Sequence, residues 1–139
     1  MNVIQKQIVL PKFTRGIHLI TNNILESLED ISFISSGLLH IFIKHTSASI
    51  FINENSDPSV REDLESYINK IVPERELYYT HIFEGDDDMP AHIKTSLFGT
   101  NLIIPISDGK LNLGVWQGIY LGEHRNHASE RQLVITILA

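Results

Sequence analysis

Leu102-Ile103-Ile104-Pro105-Ile106-Ser107-Asp108-Gly109-Lys110-Leu111 is the stretch that decides the fold class. Two apolar runs flank Asp108-Gly109, a residue pair well suited to the positive φ angles of a two-residue hairpin turn. The second run is expected to continue to Leu121 as the longest strand. Pro105 has no N–H to give to a ladder, so it should face an edge or a bulge.

Working outward, a polar segment from Gly122 to Glu130 precedes a last strand, Gln132 to Leu138. Upstream, residues 3–10 read as a strand broken at Pro11. Residues 37–44 read as a buried strand, and Ser49 to Asn53 resume strand character after the break at His45-Thr46-Ser47-Ala48. Leu77 to Phe83 is expected to form a further short strand, with Leu77, Tyr79, His81 and Phe83 on one face.

Helices are fewer. Thr21 is a plausible N-cap for a short helix carrying Ile24, Leu25 and Leu28 on one side. Asp57-Pro58 is the clearest helix start, since Asp accepts from free N–H groups and Pro suits the first helical position. Val60, Leu64, Tyr67, Ile68 and Ile71 then form an apolar stripe. Pro90 to Phe98 is expected to be a short helix closed by Gly99. The class is therefore α+β, a mainly antiparallel or mixed β-sheet with two to three short helices in one domain spanning 1–139.

The bulk composition excludes several roles. The 139 residues are 42% hydrophobic and 20% charged, the balance of a folded globule. A formal net charge of −6 argues against nucleic acid as a partner, because phosphate binding needs a basic face. The absence of cysteine removes thiolate metal sites and cysteine nucleophiles. No apolar run approaches the ~20 residues of a membrane span, and no signal peptide is apparent, so a cytoplasmic protein with no membrane partner is expected. GxSxG, P-loop and GxGxxG motifs are all absent.

The chemistry-bearing residues fall into polar clusters beside the expected strands. Glu84-Gly85-Asp86-Asp87-Asp88-Met89-Pro90-Ala91-His92 places an acidic run between His81 and His92. It is either a solvated loop or a mixed histidine and carboxylate metal site. His45-Thr46-Ser47-Ala48-Ser49 is either a serine- and threonine-rich turn or a surface offering hydroxyls and amides to an anion. Asn53 and Asn55 exceed what capping needs, since Asp57 suffices for the helix. Trp116 reads as core, and Gln117 as a ladder residue or a substrate-orienting amide. Glu123 and Arg125 either pair in solvent or join the site. His18 and His40, inside apolar segments, read as core histidines.

Taken together these pieces resemble the YjbQ-type family, described as secondary thiamine-phosphate synthases. The matching residues are Arg15-Gly16, His45 to Ser49, Asn53-Glu54-Asn55 with Asp57-Pro58, Asp87 to Lys94, and Gly114-Val115-Trp116-Gln117-Gly118-Ile119 running on to Leu121-Gly122-Glu123-His124-Arg125. Val115 stands where the family usually has Thr, and Asn101 where it usually has Ser. The resemblance implies an α+β fold assembling as a homotrimer. It also implies transfer of a hydroxymethylpyrimidine group from its diphosphate to thiazole phosphate, with release of pyrophosphate. On that footing His81, His92, Glu123 and Asp88 are the metal candidates, for a divalent ion such as magnesium or zinc. His45 is a candidate proton shuttle or further ligand. Asn53, Asn55 and Gln117 are catalytic candidates that would orient substrate. Lys94, Arg125 and Ser47 would contact a small phosphorylated substrate. A metal-dependent hydrolase and a non-catalytic metal- or ligand-binding trimer are the alternatives.

Overall fold

A computed structural model describes residues 1–139. The chain order is β1 (Val3–Val9), β2 (Gly16–Leu19), α1 (Thr21–Ser27), β3 (Ser36–Ile43), β4 (Ala48–Glu54), α2 (Pro58–Ile71), α3 (Asp88–Phe98), β5 (Asn101–Ser107), β6 (Lys110–Leu111), β7 (Gln117–Glu123) and β8 (Gln132–Leu138). A five-stranded sheet has the order β1-β8-β3-β5-β6 and a three-stranded sheet the order β2-β7-β4. Every pairing is antiparallel.

Period-two alternation builds the layers. Leu39, Ile41 and Ile43 of β3, Ile104 and Ile106 of β5, and Leu133, Ile135 and Ile137 of β8 face inward from the larger sheet. They meet Ala48 and Ile50 of β4 and Ile119 and Leu121 of β7 in one core. The opposite face of the smaller sheet carries Ile17, Phe51 and Tyr120, covered by Leu64 of α2 and Phe98 of α3. The architecture is thus sheet on sheet, with α2 and α3 as a third layer behind the smaller sheet.

The hairpin reading is borne out. Asp108 and Gly109 have φ of 50° and 76°, and Ser107 pairs with Lys110 across the turn. Pro105 turns its missing donor toward the outer side of β5, where its carbonyl accepts from Asn112 N–H. Asp57 caps α2 by accepting from the Ser59 amide at 2.9 Å.

Several expectations are corrected. The strand expected over 77–83 does not form. The Tyr79 amide closes a turn onto the Glu76 carbonyl and its hydroxyl bonds to Pro73, while Leu77 and Phe83 stand in solvent. The segment pairs with no strand of either sheet, and β-favouring residues without a partner strand make no ladder. The long strand expected over 111–121 is split: residues 112–116 form a loop, and Trp116, read as core, is 63% exposed. Thr21 is not a cap; its hydroxyl accepts from the Ile119 amide at 2.9 Å and ties α1 to β7. His18 and His40 are half-buried rather than core. The one fully buried histidine is His124, which lies on the helix-facing side just past β7.

Candidate metal centre

The first turn of α3 organises the site. Asp88 opens the helix and His92 stands one turn later, so both side chains project from the same side. The irregular segment before the helix brings His81 back onto them. His81 Nε2 lies 2.6 Å and His92 Nε2 3.2 Å from the same oxygen, Asp88 Oδ2. The three ligand atoms all lie within 4.8 Å of one another. Asp88 itself is buried, whereas the two imidazoles are partly open to solvent.

The other oxygen of Asp88 and the other nitrogen of His92 are each held by a neighbour. Arg125 donates to Asp88 Oδ1 and, through Nε, to Asp87 Oδ2 at 3.0 Å. Its remaining amine donates to the Glu84 carbonyl at 2.9 Å. Burial opposes ionisation at Asp87 and Asp88. It is outweighed at Asp87 by the Asn126 amide and Arg125, and at Asp88 by His81, Glu84, His92 and Arg125. Both carboxyls are held below the usual carboxylate range and stay ionised at neutral pH.

The tautomer of His92 follows from geometry. Its Nδ1 lies 2.7 Å from the Thr46 carbonyl, which can only accept, so Nδ1 carries the proton. In the neutral ring Nε2 is then a bare lone pair aimed at a carboxylate oxygen. Two imidazole nitrogens and one carboxylate are a fitting donor set for a divalent transition metal. Of the two ions expected, the donor set favours zinc over magnesium, which demands mostly oxygen ligands.

Glu123 does not belong to this centre. Alternation along β7 puts it on the face of Ile119 and Leu121, between the two sheets, away from α3. There it is fully buried and held by Arg131, with Nε to Oε1 at 2.7 Å and Nη2 to Oε2 at 2.6 Å. Arg131 Nη2 also donates to the Ser47 hydroxyl at 3.0 Å, so Ser47 serves the turn rather than a ligand.

Lys94, also expected at a substrate, is sealed in as well. It is 1% exposed, and its ammonium donates to Asn69 Oδ1 at 2.6 Å, an oxygen shared with Arg15 at 2.8 Å. Burial first, then Arg15, lowers its pKa.

The amide candidates lie elsewhere. Ala48 pairs with Glu123 and Glu54 with Gln117, so β4 runs from the histidine end of the smaller sheet to its other end. Its length at ~3.3 Å per residue separates the two ends by about 20 Å. At the far end Asn53 Oδ1 accepts from the Glu54 amide, Asn55 donates to the Val115 and Gln117 carbonyls, and Gln117 Oε1 accepts from the Gly114 amide at 2.7 Å. Within one chain Asn55 and Gln117 hold the 112–117 segment, Asn53 bonds its own strand, and none of the three meets the histidines.

His45 does lie near the centre. Its Nε2 accepts from the Gln132 amide at 2.8 Å, which leaves the proton on Nδ1. Burial, then Arg131, lowers its pKa, so the ring is neutral. With Thr46, His92, Thr95, Ser96, Gly99 and Thr100 it lines an open cleft of about 640 Å³ without one apolar side chain. Arg131 and the Ser49–His124 pair were missed from the sequence. The signal for Arg131 was indirect: an acidic residue on the inward face of a strand requires a cation nearby.

Comparison with known proteins gives the family and the fold. A family model described as UPF0047 protein YjbQ-like matches residues 6–139. The UPF0047 protein YjbQ of Escherichia coli O157:H7 is 47% identical over 133 residues, covering 96% of each chain. A UPF0047 protein of Synechocystis is 42% identical over 116 residues, covering 84% of this chain and 79% of its own. Among solved structures, a YbjQ-like protein of unknown function from Sulfolobus solfataricus superposes with a TM-score of 0.85 at 26% identity, covering 99% of this chain and 98% of that one. A YjbQ/UPF0047-family protein from Clostridium acetobutylicum gives 0.80 at 36%, covering 97% and 99%. An α+β fold, a match along nearly the whole length and identities well above 30% place this chain in the YjbQ-like UPF0047 family.

Proposed function

We propose that this chain is a metal-dependent enzyme of small polar substrates, centred on His81, Asp88 and His92. The observation that carries the reading is the convergence of two imidazole Nε2 atoms on one oxygen of a buried aspartate. An ion pair alone needs one partner; two open nitrogens on one oxygen suit a shared cation. A divalent ion there would act as a Lewis acid on a substrate oxygen. The chain's own residues hold the rest: Arg125 orients Asp88, Thr46 orients His92, and neutral His45 offers an Nδ1–H to a group in the cleft.

Transfer of hydroxymethylpyrimidine from its diphosphate to thiazole phosphate is the reaction we propose first, on the family resemblance. The second reading, a metal-dependent hydrolase, is favoured by one observation. No lysine or arginine lines the cleft to receive a diphosphate, since Lys94 is buried and Arg125 is engaged by Asp87, Asp88 and Glu84. We also propose a homotrimer. Leu38, Phe42 and Ile103 stand exposed on the outer face of the larger sheet, an apolar surface that assembly would cover.

The test is to load metal-free protein with zinc or magnesium and supply both thiamine precursors. Thiamine phosphate formed over many turnovers, and lost in His92→Ala, supports the transferase. Bound metal without thiamine phosphate turns the assignment to hydrolysis or binding. No retained metal ends the metal-centre reading. Sedimentation at working concentration reads the assembly, and a monomer would end the trimer proposal.

A further inference from the structure

The break between β3 and β4 is fastened from both sides by two neighbouring residues. Arg131 Nη2 donates to the Ser47 carbonyl at 3.2 Å and to its hydroxyl at 3.0 Å. The next residue, Gln132, gives its amide to His45 Nε2 at 2.8 Å. Thr46 lies between these two anchors, and its carbonyl is the one that accepts His92 Nδ1–H. The exposed turn His45-Thr46-Ser47 thus has little freedom to move its middle carbonyl.

Arg131 is in turn held by Glu123 through two parallel contacts at 2.7 and 2.6 Å, in a pair that is 7% and 0% exposed. Burying two charges is costly, and an apolar pair of the same volume would often be as stable or more so. Stability alone is therefore a weak reason for an ion pair at this place. A guanidinium, however, can grip both oxygens of a carboxylate with one planar edge and still offer an N–H to a loop in fixed geometry, whereas Lys has no such fork and an apolar residue has no donor.

We propose that Arg131 is a positioning residue: braced by Glu123, it holds the Thr46 carbonyl against His92 and so fixes which imidazole nitrogen faces Asp88. Its consequence for metal affinity rests on the metal-centre reading above, but the tautomer itself does not. Hydrogen-bond partners of a ligating histidine set its ring orientation and basicity, and their loss commonly weakens metal binding by about 10–100-fold. The link runs from a buried pair between the sheets to a ligand on α3, through one turn.

The experiment uses the full chain in wild-type, Arg131→Lys and Glu123→Gln/Arg131→Gln forms. The last removes both buried charges together and so avoids leaving either unpaired. Long-range proton–nitrogen correlation spectra of the metal-free imidazoles at pH 8 read the His92 tautomer, and zinc titration calorimetry reads affinity. The expected result is a wild-type ring protonated only on Nδ1, a mixed tautomer in folded variants, and zinc affinity lower by about tenfold or more. Folded variants that keep the Nδ1–H tautomer would overturn the proposal, whatever their thermal stability. A wild-type protein that binds no zinc yet shows the tautomer change ends the metal reading while leaving the positioning role standing.

Discussion

The two ends of the smaller sheet are built from similar polar residue types and do different things. At the Ala48–Glu123 end, charged groups are buried in pairs, and the atoms left over are two imidazole nitrogens facing one carboxylate oxygen. At the Glu54–Gln117 end, the amides bond nearby backbone, two of them tying down a loop that displays Val115 and Trp116 to solvent. Polar side chains that satisfy each other's backbone make structure. Those that leave strong ligand atoms pointing at one place make a site.

The contrast is easiest to break at the histidine end. His92→Ala should remove one of only two imidazole ligands and abolish stoichiometric zinc binding, with the fold intact by circular dichroism. Zinc retained at one equivalent would erase the difference between the ends. Glu123→Ala leaves Arg131 charged and buried, a loss expected to cost about 3–5 kcal/mol in urea unfolding. A cost under 1 kcal/mol would mean the pair is not held as described.

Acid should sharpen the comparison. His124 stacks on Phe98 with its Nε2 on Ser49 Oγ at 2.8 Å, and its pKa is pushed down to about 3 by burial, then by Lys94, Arg131 and Arg15. The unfolded chain takes up this proton near pH 6.5 and the folded chain does not. Stability from this residue is therefore whole above that pH and falls as pH drops toward 3, by on the order of 4 kcal/mol across the range. His124→Gln should flatten the dependence between pH 6.5 and 5; an unchanged slope would show that the ring is hydrated in the folded state.

The smallest effect is expected at the far end. Asn55→Ala removes two side-chain donors from exposed carbonyls, for about 1 kcal/mol, and leaves zinc affinity unchanged. A large fall in zinc affinity would join the two ends functionally.

Local signals were reliable where one short segment contains both cause and effect. The Asp108-Gly109 turn, the Asp57 cap and the helix before Gly99 needed no distant partner, and each formed as read. His81, Asp88 and His92 were legible because helical spacing and one acidic loop bring them together. The failures share a different cause. Leu77 to Phe83 had strand composition but paired with no strand, and Trp116 had core chemistry but fell in a loop between β6 and β7.

Glu123 and Lys94 show the limit most plainly. Their sequence neighbours, Arg125 and His92, are at the site, yet alternation along β7 and burial behind α3 direct these two side chains elsewhere. By itself the chain determined its class, the Asp108-Gly109 turn, the Asp57 cap and the ligand types it carries, because those depend on backbone preference and spacing over a few residues. Which face of the smaller sheet each charge occupies, which charges neutralise one another, and which nitrogen of His92 is left free were decided only by the tertiary structure. Those outcomes depend on partners as far apart in sequence as Thr46 and His92 or Ser47 and Arg131, and only packing two sheets and a helix layer together brings them within hydrogen-bonding distance.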